Sequence, residues 1–159
     1  MGQVGLGIMG GAFARHLLAA GFKVVGYDVS SAAGRALSRL GGQTARSCAE
    51  VAARTRILIT SLPSPAAMEE AYFGKQGIAA GARPGTIVIE ASTMTLELKE
   101  GLRRRLARRG VQLLDCPVSG TGAQAAAKDI AIYASGDRRA FNRCRKVFDG
   151  FARSTYYCG

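Results

Sequence analysis

Gly5, Gly7 and Gly10 set out G-x-G-x-x-G inside "VGLGIMGGAF", residues 4–13, with Leu6, Ile8 and Met9 between them. Where a strand turns sharply into a helix, each glycine of such a pattern has a separate task. The first permits the tight turn, the second lets a pyrophosphate approach the backbone, and the third lets helix and strand pack closely. The helix that follows offers unpaired amides and a partial positive charge to phosphate. In a chain with 21 glycines the pattern alone is weak, so its surroundings decide. A strand must feed the turn, and only "MGQV" lies upstream. An amphipathic segment carrying Phe13, Leu17 and Leu18 follows it. A second predicted strand then ends in Asp28, near the ~20-residue spacing at which an acid meets the ribose hydroxyls of a dinucleotide. That carboxylate would repel a 2′-phosphate, and the "VSS" after it has no arginine, so NAD is favoured over NADP. The competing role for Asp28 is to cap the helix beginning near Ser31.

The elements that position these residues alternate. Predicted strands fall at Gln3–Val4, 23–28, 56–62, 85–91, 111–115, 129–135 and 154–158. Helical patterns fall near 9–20, 31–40, 47–54, 65–73, 95–109 and 138–149. Strand–helix alternation of this kind predicts an α/β, Rossmann-type doubly wound fold, a mostly parallel sheet with helices on both faces. Ser30 or Ser31, Ser47 and Thr95 stand at helix starts, where a hydroxyl can cap free amides. The first strand is short for a central position, so it is expected to be weakened, with a start codon placed too late.

The chain's 159 residues make one domain with a single substantial core. No apolar run nears the ~20 residues that span a bilayer, and no leader pattern opens the chain, so it reads as a cytoplasmic protein. Cys48, Cys116, Cys144 and Cys158 are scattered without metal or disulfide spacing and read as reduced thiols. The net charge of +11 is concentrated in arginines such as those of "GLRRRLARRG" (101–110). Leu98, Leu102 and Leu106 recur there every four residues, which turns the leucines inward and the arginines to water. With no aromatic residues interleaved, the nucleic-acid pattern is missing. His16, the only histidine, sits mid-helix among apolar neighbours and reads as structural.

Four ordered blocks resemble the β-hydroxyacid dehydrogenases, a family that includes 3-hydroxyisobutyrate and L-threonate dehydrogenases, tartronate semialdehyde reductase and, more distantly, 6-phosphogluconate dehydrogenase. They are "GLGIMGGAFARHLLAAG" (5–21), "TSLPSPAAMEEAYFGKQGI" (60–78), "GTIVIEASTMTLELKE" (85–100) and "LLDCPVSGTGAQAA" (113–126). The resemblance implies hydride exchange between NAD(P) and a small anionic 3-hydroxy acid. It implies that Leu62 and Pro63 line the cofactor cleft, that Thr93 meets the nicotinamide end, and that Ser119, Gly120 and Thr121 form the substrate-binding turn. Read without the family, "SGTG" is an ordinary turn. Departures are Thr121 and Lys128 where glycines are usual, His16 for asparagine, Phe13 for methionine and Cys116 for alanine. In the family the hydroxyl proton passes to a lysine, assisted by an asparagine, in a helix after a stretch like "YYCG" (156–159). The expectation is therefore that residues 1–159 are the dinucleotide-binding domain, with no catalytic residue of their own, inactive or nearly so alone. The family's all-helical second domain, which commonly mediates dimers, lies outside them, so a homo-oligomer is within expectation. A non-catalytic nucleotide-sensing or interaction module with a basic surface is the alternative.

Overall fold

β-Branched runs flanked by glycine and proline become short strands, and the apolar stripes between them become the helices that cover the strands. The computed structural model describes residues 1–159. In chain order come β1 (Gly2–Val4), α1 (Ile8–Ala19), β2 (Val25–Tyr27), α2 (Ser31–Arg39), β3 (Gln43–Thr44) and α3 (Cys48–Arg54). β4 (Ile57–Thr60), α4 (Pro65–Phe73), α5 (Ile78–Gly81), β5 (Ile87–Glu90), α6 (Leu96–Ala107) and β6 (Gln112–Asp115) follow. The last part holds β7 (Val118–Ser119), α7 (Gly122–Ala126), β8 (Ala131–Ala134), α8 (Arg138–Phe151) and β9 (Ser154–Tyr157).

Six strands form one sheet in the order β3-β2-β1-β4-β5-β6, every neighbouring pair parallel. This is the Rossmann arrangement the alternation predicts. Successive strand residues face opposite sides of the sheet. Ile59, Ile89 and Leu114 therefore pack under α1, α2 and α8, against Phe13, Leu17 and Phe148. Leu58, Val88 and Leu113 meet Val51, Met68, Tyr72 and Leu102 of α3, α4 and α6 on the other side. The Phe13 and Phe151 rings lie 4.8 Å apart, and burying each side chain contributes about 1.5–3 kcal/mol.

The expected weakening of the first strand is corrected by the structure. β1 is buried along its whole length and paired on both sides, Gly2–Val4 with Val25–Tyr27 and with Leu58–Thr60. The Met1 carbonyl extends the pairing by accepting the Val25 amide. Three residues suffice because the partner strand β2 is equally short.

Four elements carry no periodic signal and lie outside the segments the patterns predict: β3, β7, α5 and α7. β7 pairs antiparallel with β8, and β8 pairs parallel with β9, in a second, three-stranded sheet. An isolated bridge between Asp115 and Ser135 joins it to β6. On α6, Leu102 and Leu106 are buried and the arginines are mostly in water, as their spacing predicts. Lys99 is the exception: it is 4% exposed, with Nζ 2.5 Å from Asp115 Oδ1. No helix is long and apolar enough to cross a membrane.

Candidate functional site

The strand order reverses between β1 and β4, and a cavity of about 780 Å³ opens at their carboxyl ends. Such a switch point is where open α/β sheets bind ligands. Gly5, Gly7, Ile8 and Met9 line it from β1, Asp28 from β2, and Leu62 and Pro63 from β4. A larger cavity of about 860 Å³ beside β6 is bordered by Lys99, Arg103 and Asp137 and holds none of the predicted site residues.

The three glycines differ in what they do. Gly5 has φ +82°, and a Cβ there would lie 2.1 Å from the Ser61 carbonyl oxygen. A Cβ on Gly10 would lie 2.0 Å from the Gly5 carbonyl oxygen, so α1 can sit this close to the turn only with glycine. Around Gly7 nothing lies within 4 Å of such an atom. The fold itself leaves that position open, which is the space a pyrophosphate needs. The N-terminus of α1 is also free of side-chain capping at Gly7, whereas Ser30, Ser47, Ser64, Thr95 and Asp137 cap α2, α3, α4, α6 and α8. An uncapped helix start with its amides facing a cavity fits a phosphate ligand.

Leu6 and Gly10 are not among the lining residues. The Leu6 side chain is buried between α1 and α2, and its amide donates to Asp28 Oδ2 at 2.6 Å. Asp28 Oδ1 accepts the Ser30 amide at 2.7 Å. The carboxylate thus braces the glycine turn as well as the entrance to α2, while Ser30 itself is the helix cap. A carboxylate has about four lone-pair sites, so two remain for ribose hydroxyls. Beneath the turn, Gln3 is fully buried on β1, and its Nε2 donates to the Gly5 carbonyl at 2.9 Å. Cys48 also borders the cavity, but burial pushes its thiol up to about 11, which leaves it unreactive.

Ser119, the last residue of β7, and Gly120 just after it are exposed, Gly120 with φ +144°. Thr121 is committed elsewhere. Its hydroxyl accepts the Gln124 amide and its own amide donates to Gln124 Oε1, a capping box at the start of α7. Thr121 has spent its amide and one hydroxyl lone pair, which leaves its hydroxyl hydrogen beside the Ser119 hydroxyl and the Gly120 amide as the donors of the three predicted substrate residues. Thr93 is exposed and lies outside the cavity lining, one residue beyond a buried serine, Ser92.

The Ser119–Thr121 turn and the glycine turn are adjacent through α7. A Cβ on Gly122 would stand 2.4 Å from Ile8 Cγ2. At the other end, His16 Nε2 lies 2.9 and 3.1 Å from the Ala125 and Ala126 carbonyl oxygens, and Arg15 donates to Ala126 at 2.5 Å. Carbonyls only accept, so His16 Nε2 carries its proton and the ring serves as a strut. Lys128, just past α7, has φ +60°, a backbone that suits the glycine usual there.

A doubly wound sheet with an uncapped glycine turn at its switch point defines a dinucleotide-binding domain. The chain matches the NAD binding domain of 6-phosphogluconate dehydrogenase over residues 1–159, and it belongs to that family. L-threonate dehydrogenase of Cupriavidus necator is 35% identical over 159 residues, 100% of this chain and 54% of that protein. A 3-hydroxyisobutyrate dehydrogenase of Mycobacterium tuberculosis, solved with L-serine, superposes with a TM-score of 0.93 at 31% identity, covering 99% of this chain and 53% of that one. A solved complex with NADP+ and 2-OPP gives a TM-score of 0.94 at 30% identity, over 99% of this chain and 56% of that one. The chain spans about half the length of the curated relatives it matches.

Proposed function

We propose that these 159 residues are the cofactor-binding part of an oxidoreductase that exchanges hydride between a nicotinamide dinucleotide and a small anionic 3-hydroxy acid. The carrying observation is the uncapped start of α1, with open space at Gly7, packed through Ile8 against the first residue of α7. Met9 and the free amides beside Gly7 would hold the pyrophosphate, Asp28 the adenosine ribose, and Leu62, Pro63 and Thr93 the nicotinamide end. Bound there, the cofactor supplies the hydride chemistry. The Ser119 hydroxyl and Gly120 amide are suited to a substrate carboxylate, since hydroxyl and N–H donors bind anions well.

The group that takes the hydroxyl proton is assigned outside residues 1–159. In support, His16 is held by two carbonyls and Lys99 is buried against Asp115. NAD is favoured over NADP because Asp28 presents a carboxylate where a 2′-phosphate would sit and the exposed Val29 beside it offers no cation. NADH and NADPH titrations followed by nicotinamide fluorescence test the reading. NADH is expected to bind more tightly than NADPH, and the chain to turn over none of L-threonate, L-serine or 3-hydroxyisobutyrate. Absence of binding at millimolar NADH and NADPH would sink it.

A further inference from the structure

Below the cleft lies a chain of buried polar groups that neither the glycine turn nor the substrate turn uses. Glu90, at the end of β5, is fully buried. Its Oε1 accepts the Ser92 amide at 2.6 Å, and its Oε2 accepts the Thr60 hydroxyl at 3.2 Å. Thr60 Oγ1 is 2.8 Å from the hydroxyl of Tyr72, itself fully buried on α4. Ser92 Oγ in turn accepts the Leu62 amide at 2.9 Å. Five elements are tied together by this path: β4, the loop after it, β5, the loop after β5, and α4.

Burying a carboxylate is costly unless it is well hydrogen-bonded. An apolar side chain could fill the same place beside Thr60 and Tyr72 without that cost. What the carboxylate adds is direction. It holds the Ser92 amide, so the Ser92 hydroxyl faces β4 and takes the Leu62 amide. Leu62 and Pro63 line the cavity on the side away from Asp28. With the adenosine ribose at Asp28, the far end of an extended dinucleotide lies over Leu62 and the Ser92–Thr93 turn.

We propose that Glu90 and Ser92 are positioning residues for the nicotinamide half of the cofactor: they lock the Leu62 loop to the Ser92–Thr93 loop. The inference rests on the cofactor reading above. Its chemical content is selective. Loosening the lock weakens contacts to the nicotinamide ring and leaves the ribose, adenosine and pyrophosphate contacts at Asp28 and the α1 start as they were.

The test compares two ligands on the 159-residue chain, NADH and ADP-ribose, which shares everything but the nicotinamide. Titration calorimetry gives the ratio of their affinities for wild type and for Ser92→Ala, Glu90→Leu and Glu90→Gln. Ser92→Ala and Glu90→Leu are expected to lower NADH affinity about tenfold while ADP-ribose stays within about twofold. Glu90→Gln is expected to keep the wild-type ratio within about twofold, because its carbonyl still accepts the Ser92 amide and its NH₂ can donate to Thr60. Should Glu90→Leu fail to fold, Ser92→Ala decides the matter alone. Equal loss for both ligands, an unchanged ratio in Ser92→Ala, or a wild type that binds both ligands equally overturns the proposal. A wild type that binds neither ligand overturns the cofactor reading and this inference with it.

Discussion

Asp28 Oδ2 accepts the Leu6 amide at 2.6 Å, a bond that crosses from the end of β2 to the glycine turn after β1. The residue proposed to hold the ribose is therefore also a brace for the turn that holds the pyrophosphate. Asp28→Asn leaves one oxygen for two amides. Hydrogen bonds to charged groups are worth about 1.5–3 kcal/mol, so the melting temperature should drop by several degrees. NADH affinity should fall with it, and the preference over NADPH should narrow. A variant with unchanged melting temperature would show that the brace carries no weight.

Gly7 and Gly10 should respond in opposite ways to the same added methyl. Gly7→Ala meets no protein atom within 4 Å, so thermal unfolding should shift by under about 1 kcal/mol while NADH binding is lost. Gly10→Ala drives a Cβ to 2.0 Å from the Gly5 carbonyl, and overpacking against backbone costs about 1–3 kcal/mol or more. Melts and titrations on the two variants together separate ligand space from folding space. Loss of fold in Gly7→Ala would contradict the assignment.

Lys128 holds φ +60° just past α7. A left-handed backbone costs a non-glycine residue about 1–2 kcal/mol, and glycine gives back part of that through its own chain entropy. Lys128→Gly should therefore stabilise the fold, by up to about 1 kcal/mol in urea unfolding. A destabilised variant would mean that the lysine side chain contributes something the backbone argument omits.

Burial pushes the Glu90 carboxyl above the ordinary carboxylate range, against the pull of Ser92, Thr60 and nearby Lys99. The folded state then keeps its proton to higher pH than the unfolded chain does. That contribution is complete below the unfolded value near 4.5 and disappears as pH rises through the folded one. Subtracting the stability of Glu90→Gln from that of wild type at each pH isolates it. The difference should fall as pH climbs from 4.5; a flat or rising difference would show that the carboxyl is not held up.

Local patterns made most of this fold readable. The glycine spacing, the apolar runs of β4 and β5, the leucine stripe of α6 and the hydroxyls at Ser30, Ser47 and Thr95 all lie within a few residues of the structure they specify. What was missed depends on partners distant in sequence. Lys99 looks like a surface lysine until β6 brings Asp115 beside it. Glu90 ends an apolar run, and nothing nearby shows that Thr60 and Tyr72 would enclose it. Gln43–Thr44 forms a strand only because Val25 and Gly26 offer it an edge. Asp28 reads in the sequence as a ribose acid or a helix cap, and its bond to Leu6 belongs to neither. At the Ser119–Thr121 turn, Thr121 commits its amide and one hydroxyl lone pair to Gln124, a capping-box pairing already written in "TGAQ".

The struts on α7 have a consequence for what the protein can accept. Ile8 blocks its front, and His16 with Arg15 holds its last carbonyls, so it cannot slide along α1 in either direction. If Gly7 seats the phosphate and Ser119 the substrate, as proposed, the gap between them is thereby a ruler cut to one length. On the proposed function, a bulkier acid would have to extend away from α1, and changes in substrate range would come from the residues on that far side.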